Sequence, residues 1–151
     1  MAESGLHDHV GYWLRRLSDD VHTAFERRLA NRDVTVAQWN VLVTVYHGDA
    51  TTTTAVAKFI GTDPGAVSRL VDRLSDKGLM TRSLDPASRR RLQLRLTAAG
   101  TALVPALIEL ADDNDAAFFE SLTSKERSAL VSRLQRLLTV APSHTKEESR
   151  A

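Results

Sequence analysis

The stretch Thr53–Thr97, TTAVAKFIGTDPGAVSRLVDRLSDKGLMTRSLDPASRRRLQLRLT, decides how this chain is read. A short helical run ends at Gly61, and Thr62-Asp63-Pro64-Gly65 then offers a capping side chain followed by proline at the first helical position, where a missing N–H costs nothing. In the helix that opens there, Val67, Leu70, Val71 and Leu74 recur at i, i+3, i+4, i+7. That spacing puts them on one buried stripe and turns Ser68, Arg69, Asp72, Arg73 and Asp76 outward. Gly78 supplies a left-handed stop. Beyond it, Leu79–Leu84 and Leu92–Leu96 bracket the Asp85-Pro86 turn, and the second run alternates Leu92, Leu94 and Leu96 with Arg91, Gln93 and Arg95. Helix, turn, helix, hairpin is the order of a winged helix, a DNA-binding module.

Working outward, 151 residues with 42% hydrophobic content suffice for a single domain, 1–151, with a real core. The absence of cysteine excludes a disulfide framework, a Cys-based zinc site and thiol redox sensing. No apolar run approaches the roughly 18 to 20 residues of a membrane span, and Met1-Ala2-Glu3-Ser4 lacks the basic and apolar regions of a signal peptide. The expectation is a soluble, cytoplasmic protein without a membrane partner.

Net charge is only +1, so the distribution carries the information. Residues 63–97 hold eight cations (Arg69, Arg73, Lys77, Arg82, Arg89, Arg90, Arg91, Arg95) and four acids (Asp63, Asp72, Asp76, Asp85), a local net of +4, whereas residues 98–122 hold five acids and no Lys or Arg. A basic module beside an acidic helix is the footprint of a polyanion binder. An ordinary solvated face would look similar on charge alone.

From about Leu6 to Ala30, Val10, Trp13, Leu14, Leu17, Val21, Phe25 and Leu29 follow helical spacing over a length greater than a small core requires, so this helix is expected to pack on a partner. Thr35-Val36-Ala37-Gln38 is a capping box that opens a helix through Trp39, Leu42, Val43 and Tyr46, closed by Gly48. Thr51–Thr54 starts the short first helix of the module. Thr53 and Thr54 there offer hydroxyls and free N–H groups to phosphate oxygens, or simply a cap and a solvated turn. Thr97-Ala98-Ala99-Gly100 begins a helix carrying Leu103, Leu107, Ile108, Leu110 and Phe118, with Pro105 inside it as a source of bending. Thr123-Ser124-Lys125-Glu126 is a second capping box leading into Leu130, Val131, Leu134, Leu137 and Leu138, and the polar residues 141–151 read as a frayed tail.

Apolar stripes at both ends of the chain, flanking a module that already has its own core, point to dimerisation through residues 6–30 and 98–139, with 35–97 as the DNA-binding region. A two-fold dimer would present its recognition helices about one DNA turn, roughly 34 Å, apart and so match an inverted repeat.

Several stretches together resemble the MarR family of bacterial transcriptional regulators, from about Val10 to Leu138. They are Gln38-Trp39-Asn40-Val41-Leu42, the octad Val67-Ser68-Arg69-Leu70-Val71-Asp72-Arg73-Leu74, Gly78-Leu79, and Asp85-Pro86 through Arg89-Arg90 to Leu94-Arg95-Leu96-Thr97-Ala98-Ala99-Gly100. The resemblance implies that the second helix of the module enters the major groove, that the wing reaches the neighbouring minor groove, and that the terminal helices form the dimer. It also implies relief of repression by small aromatic or phenolic acids. One departure stands out. The family usually has an acidic residue just before the two wing arginines to buttress the wing by ion pairing, and Ser88, which can hydrogen-bond but cannot pair a charge, holds that place. Peroxide-sensing relatives work through cysteine, which this chain lacks.

Within that frame Arg69 and Arg73, four apart on the outward face, can reach base edges and phosphate. Ser68 and the small pair Gly65-Ala66 at the helix start, with Pro64 beside them among the expected DNA-binding residues, allow close approach to the duplex or are packing concessions. Arg89 and Arg90 suit a narrow, negatively charged minor groove. Trp13, Arg16, Trp39 and Tyr46 offer the aromatic walls and single cation that a small aromatic or phenolic carboxylate effector needs, and each also suits ordinary packing. His7, His9 and His22 could be assembled into a metal site, but two of them lie at an end of the chain expected to be mobile, and no metal is expected. No nucleophile motif or glycine-rich phosphate loop supports an enzyme, and no cofactor is expected. The sequence thus reads as a mainly α protein, a winged helix-turn-helix with a two-stranded hairpin wing between dimerisation helices. Its expected function is that of a homodimeric repressor of an inverted-repeat operator. A winged-helix protein-interaction module, with the wing arginines meeting acidic side chains, is the rival from another class.

Overall fold

Capping side chains mark where the helices begin. The computed structural model describes residues 2–85 and 87–140, without the side chains of Asp85 and of Ser88–Arg91. The elements are α1 (Val10–Leu29), α2 (Val36–His47), α3 (Thr53–Ile60), α4 (Pro64–Asp76), β1 (Met80–Asp85), β2 (Ser88–Leu96), α5 (Ala98–Phe119) and α6 (Ser124–Val140). The fold is mainly helical with a single antiparallel hairpin among the described residues.

Both capping boxes form. Gln38 N donates to Thr35 Oγ1 at 3.1 Å while Thr35 N donates back to Gln38 Oε1 at 3.3 Å, and Thr123 and Glu126 exchange the same pair of bonds at 3.1 Å each. Asp63 accepts from Ala66 N at 2.9 Å with Pro64 opening α4. Gly48, Gly61 and Gly78 take φ of 72°, 81° and 72°, the left-handed region in which a helix can end without a Cβ penalty.

The core joins α1, α2, α3, α4, the hairpin and the start of α5. Leu29, Val41, Leu42, Val56, Val67, Val71, Leu74, Met80, Leu94, Val104 and Leu107 are all fully buried. Burial of an aliphatic side chain is worth about 1.5–3 kcal/mol each, so this cluster holds the three short helices against the root of the wing. Gly100 is the tightest point. Its backbone passes so close to Leu79 that no side chain fits between them, and Thr97 Oγ1 secures the corner by donating to Gly78 O and accepting from Gly100 N. A further strut is polar. Asn114, buried on α5, donates through Nδ2 to Val21 O of α1 at 3.2 Å and accepts from Arg28 Nε at 3.2 Å.

The hairpin pairs Met80 with Leu96 through Leu84 with Leu92, and a register shift between Leu84 and Asp85 brings Asp85 opposite Ser88. Thr52 bridges Gln93 on the other edge of β2, Leu94 N donates to Thr51 O at 2.7 Å, and Gln93 Nε2 donates to Thr51 Oγ1 at 2.7 Å. The wing is therefore tied directly to the N-cap of α3.

Three sequence expectations need correcting. The first helix begins at Val10 rather than Leu6, because Leu6–Asp8 form a separate 3-10 turn ended by the extended backbone of His9. The buried side of α2 is centred on Gln38, Val41, Leu42 and Val45, with Trp39 and Val43 on its shoulders and Tyr46 exposed. A helix touched on two sides buries a broader arc than one stripe. Leu84 and Leu92 face solvent at the outer wing, where no element covers them. The tail at 141–151 lies outside the described residues.

The chain divides into two compact units at Asp115 and Ala116. In the second, α6 buries none of its residues and leaves Val131, Leu137, Leu138 and Val140 exposed.

Candidate nucleic-acid interface

Helix α4 is built to show one face. With Val67, Val71 and Leu74 against the core, the opposite side carries Gly65, Arg69, Asp72, Arg73 and Asp76, all exposed. Arg69 and Arg73 lie one turn apart, their Cβ atoms about 5–6 Å from each other. A Cβ built on Gly65 would lie 3.7 Å from Arg69 Nη1, so the guanidinium folds back toward the helix start. Arg69 and Arg73 also border a groove of about 270 Å³ with Ala37, Thr62, Ala66 and Leu70. At the head of α3, Thr52 rather than Thr53 is the cap, with its Oγ1 accepting from Ala55 N at 3.2 Å. Thr53 is half-buried and Thr54 exposed.

Two basic residues counted only as charge turn out to be internal struts. Arg82, on β1, reaches back to α4 with Nη2 donating to Ser68 O at 2.8 Å and to Ser68 Oγ at 3.1 Å, and Nη1 donating to Asp72 Oδ1. Ser68 is thereby half-buried and engaged rather than open toward a duplex, and Asp72 is neutralised beside the two arginines. Lys77, just past α4, donates to Asp33 O and to Gln38 Oε1, the latter at 3.0 Å. Neither pairing has a local sequence signature, since Ser68 and Arg82 stand 14 residues apart and Asp33 and Lys77 stand 44 apart. The side chains of Arg89 and Arg90, the wing residues expected in the minor groove, and of Ser88 lie outside the described residues, although their backbone belongs to β2.

The four expected effector residues do not share one place in the chain. Trp13 and Arg16 line a groove of about 190 Å³ on α1 with Leu17 and Asp20. Trp13 Nε1 donates to His7 O at 2.9 Å, and Arg16 donates to the Tyr12 hydroxyl at 3.4 Å. Trp39 instead packs edge-on against Phe25 with ring centroids 5.8 Å apart. Phe25 lies about 18 Å from Trp13 along the axis of α1. Tyr46 borders a different cavity of about 440 Å³, at the root of the wing, with Val45, Thr51, Gln93, Leu94, Arg95, Leu96 and Thr101. Among the described residues no group of three or more His, Asp or Glu is placed to hold a metal, and no helix is long and apolar enough to cross a membrane.

A first helix capped by threonine, a second helix with paired arginines on its open face, and a hairpin fastened to both define a winged helix-turn-helix DNA-binding protein. Comparisons with known proteins agree. The MarR family model matches residues 34–92. The HTH-type transcriptional regulator YdcH of Bacillus subtilis is 31% identical over 139 residues, covering 89% of this chain and 93% of that one. BpsR of Bordetella bronchiseptica, in a structure concerned with regulation of its DNA binding by 6-hydroxynicotinic acid, superposes with a TM-score of 0.82 at 29% identity, covering 93% of this chain and all (100%) of that one. A mutant of Escherichia coli MarR complexed with operator DNA superposes at 0.78 with 26% identity, covering 89% and 99% of the two chains. The chain belongs to the MarR family of winged-helix transcriptional regulators.

Proposed function

We propose that this regulator is a cytoplasmic homodimeric repressor that grips an inverted-repeat operator and is released by a small hydroxylated aromatic acid. The open face of α4 carries the DNA part of the reading: Arg69 and Arg73 reach the major groove, Pro64 and Gly65 permit close approach, Ser68 is held by Arg82 behind them, Thr53 and Thr54 meet phosphate, and Arg89 and Arg90 enter the minor groove. The apolar stripe of α1, with Val10 76%, Trp13 47%, Leu14 49% and Leu17 42% exposed, supports the dimer. So does the exposed stripe of α6, since large apolar side chains in such numbers are the mark of an association surface.

For the effector, the groove of Trp13, Arg16, Leu17 and Asp20 is the best-supported place, with Trp39 and Tyr46 at a distance from the ring. Arg16 supplies a partner for a carboxylate. Asp20 in the same wall would repel an acid unless the ligand also carries a hydroxyl to donate to it, which favours a phenolic acid over a plain benzoate. The 6-hydroxynicotinic acid that regulates BpsR has both groups.

Sedimentation of the purified chain tests the assembly, with about twice 16.7 kDa expected. Gel shift on a duplex selected from a random pool tests the operator. A monomer, or a selection that yields no inverted repeat, would overturn the proposal.

A further inference from the structure

The last residue before the glycine that ends α4 does something its charge alone does not suggest. The side chain of Lys77 is 28% exposed, less than the residue as a whole, and its ammonium lies among three oxygens: Asp33 O, Gln38 Oε1 at 3.0 Å and Asp33 Oδ1 at 3.6 Å. An ammonium has three protons to donate, and two of them go to Asp33 O and Gln38 Oε1 while the Asp33 carboxylate adds an ion pair, so the protein itself engages this charge. Its partners are fixed in turn. Asp33 holds a left-handed turn with φ 53° between α1 and α2. Gln38 is buried and completes the capping box of α2 by accepting from Thr35 N through the oxygen that Lys77 also uses.

We infer that Lys77 is a positioning residue for DNA recognition, fastening the C-terminal end of α4 to the corner where α1 turns into α2. Helix α4 is then held at two levels, by Arg82 from the wing along Ser68 to Asp72 and by Lys77 just beyond its last turn. A rigid helix pinned at separated points cannot pivot about its axis centre, so Arg69 and Arg73 keep one aim. The same link gives movement of α1 a direct handle on that aim. Because the Lys77 ammonium is engaged internally, its loss should leave the phosphate contacts in number as they were while loosening their geometry.

This inference rests on the operator reading above, and its test separates the two. Affinity is measured by fluorescence anisotropy for an in-vitro selected inverted-repeat duplex and for a scrambled duplex, over a range of salt. Lys77→Met, which keeps the apolar stem, should lose about three- to tenfold of the preference for the selected duplex with a salt slope equal to wild type, whereas a lost phosphate contact lowers the slope by about 0.9. Lys77→Arg keeps the donors and should restore the preference, an outcome that a mere loss of positive charge near DNA shares but a changed slope in the methionine variant would expose. Should Lys77→Met fail to fold, Lys77→Gln carries the same comparison. A methionine or glutamine variant with wild-type preference, or one whose slope falls by about one, overturns the inference alone. A wild-type chain that binds both duplexes alike overturns the operator reading and this inference with it.

Discussion

A Cβ added to Gly100 would sit 2.1 Å from the carbonyl oxygen of Leu79, and its next nearest neighbours are also Leu79 backbone. The first turn of α5 and the root of β1 therefore meet main chain to main chain, which is how the helix packs tightly beside the wing. Gly100→Ala is expected to destabilise by about 1–3 kcal/mol, the usual cost of forcing extra volume into a packed site. Gly11, near the start of α1, has nothing within 4 Å of its added Cβ, and Gly11→Ala should stabilise by up to about 1 kcal/mol through helix propensity. Urea unfolding of the two variants checks both signs, and equal shifts would contradict the packing described.

Arg69 and Arg73 should separate by kind of loss. Alanine at a base-reading position typically costs about 1–3 kcal/mol and relaxes selectivity, whereas alanine at a phosphate contact weakens all sequences alike and reduces the salt slope by about one. Arg69→Ala and Arg73→Ala, titrated against selected and scrambled duplexes, should each show one of these patterns. Wild-type binding by both would show that α4 does not face the groove.

Arg82 should matter without touching DNA. Its fork spans Ser68 and Asp72 at 27% side-chain exposure, a geometry that lysine cannot reproduce with a single point charge. Arg82→Lys is expected to weaken operator binding nearly as much as Arg82→Ala, about tenfold for a lost charge-assisted contact of about 1.5 kcal/mol, with salt slopes unchanged. Full recovery by lysine would mean that charge alone is required.

The stripe on α1 gives an assembly prediction. Leu14 is 49% exposed, so Leu14→Asp costs a single chain within about 0.5 kcal/mol, as surface substitutions generally do. In a dimer it would bury an unpaired charge at a cost of several kcal/mol. Light scattering should show half the wild-type mass with helical circular dichroism retained, and an unchanged mass would place the interface elsewhere.

The elements of the wing module were legible because their signals are local: Asp63 then Pro64 to open α4, Gly78 to end it, alternation along β2 to make the wing. The outward placement of Arg69 and Arg73 followed from the same stripe. The struts did not, because Lys77 to Gln38 and Arg82 to Ser68 join residues that only the tertiary fold brings within reach. The residues expected to hold an effector do not converge, for a related reason. Aromatic side chains on α1 and α2 share a composition, but Trp39 meets Phe25 near the far end of α1 while Trp13 stands at its beginning. The first helix starts at Val10 although the apolar spacing runs back to Leu6, because Leu6 keeps that spacing across a turn that His9 interrupts.

Asn114 bears on what kind of information the packing of α1 and α5 stores. An apolar residue in that buried position would be content against many faces of α1, and sliding by a helical turn would cost it little. The amide is satisfied here by the Val21 carbonyl on one side and the Arg28 donor on the other, so an alignment that lacks either leaves a buried polar group without a partner. Asn114→Leu is thus a change that can raise the melting temperature while admitting more than one alignment of the two helices. The residue selects an address rather than adding adhesion.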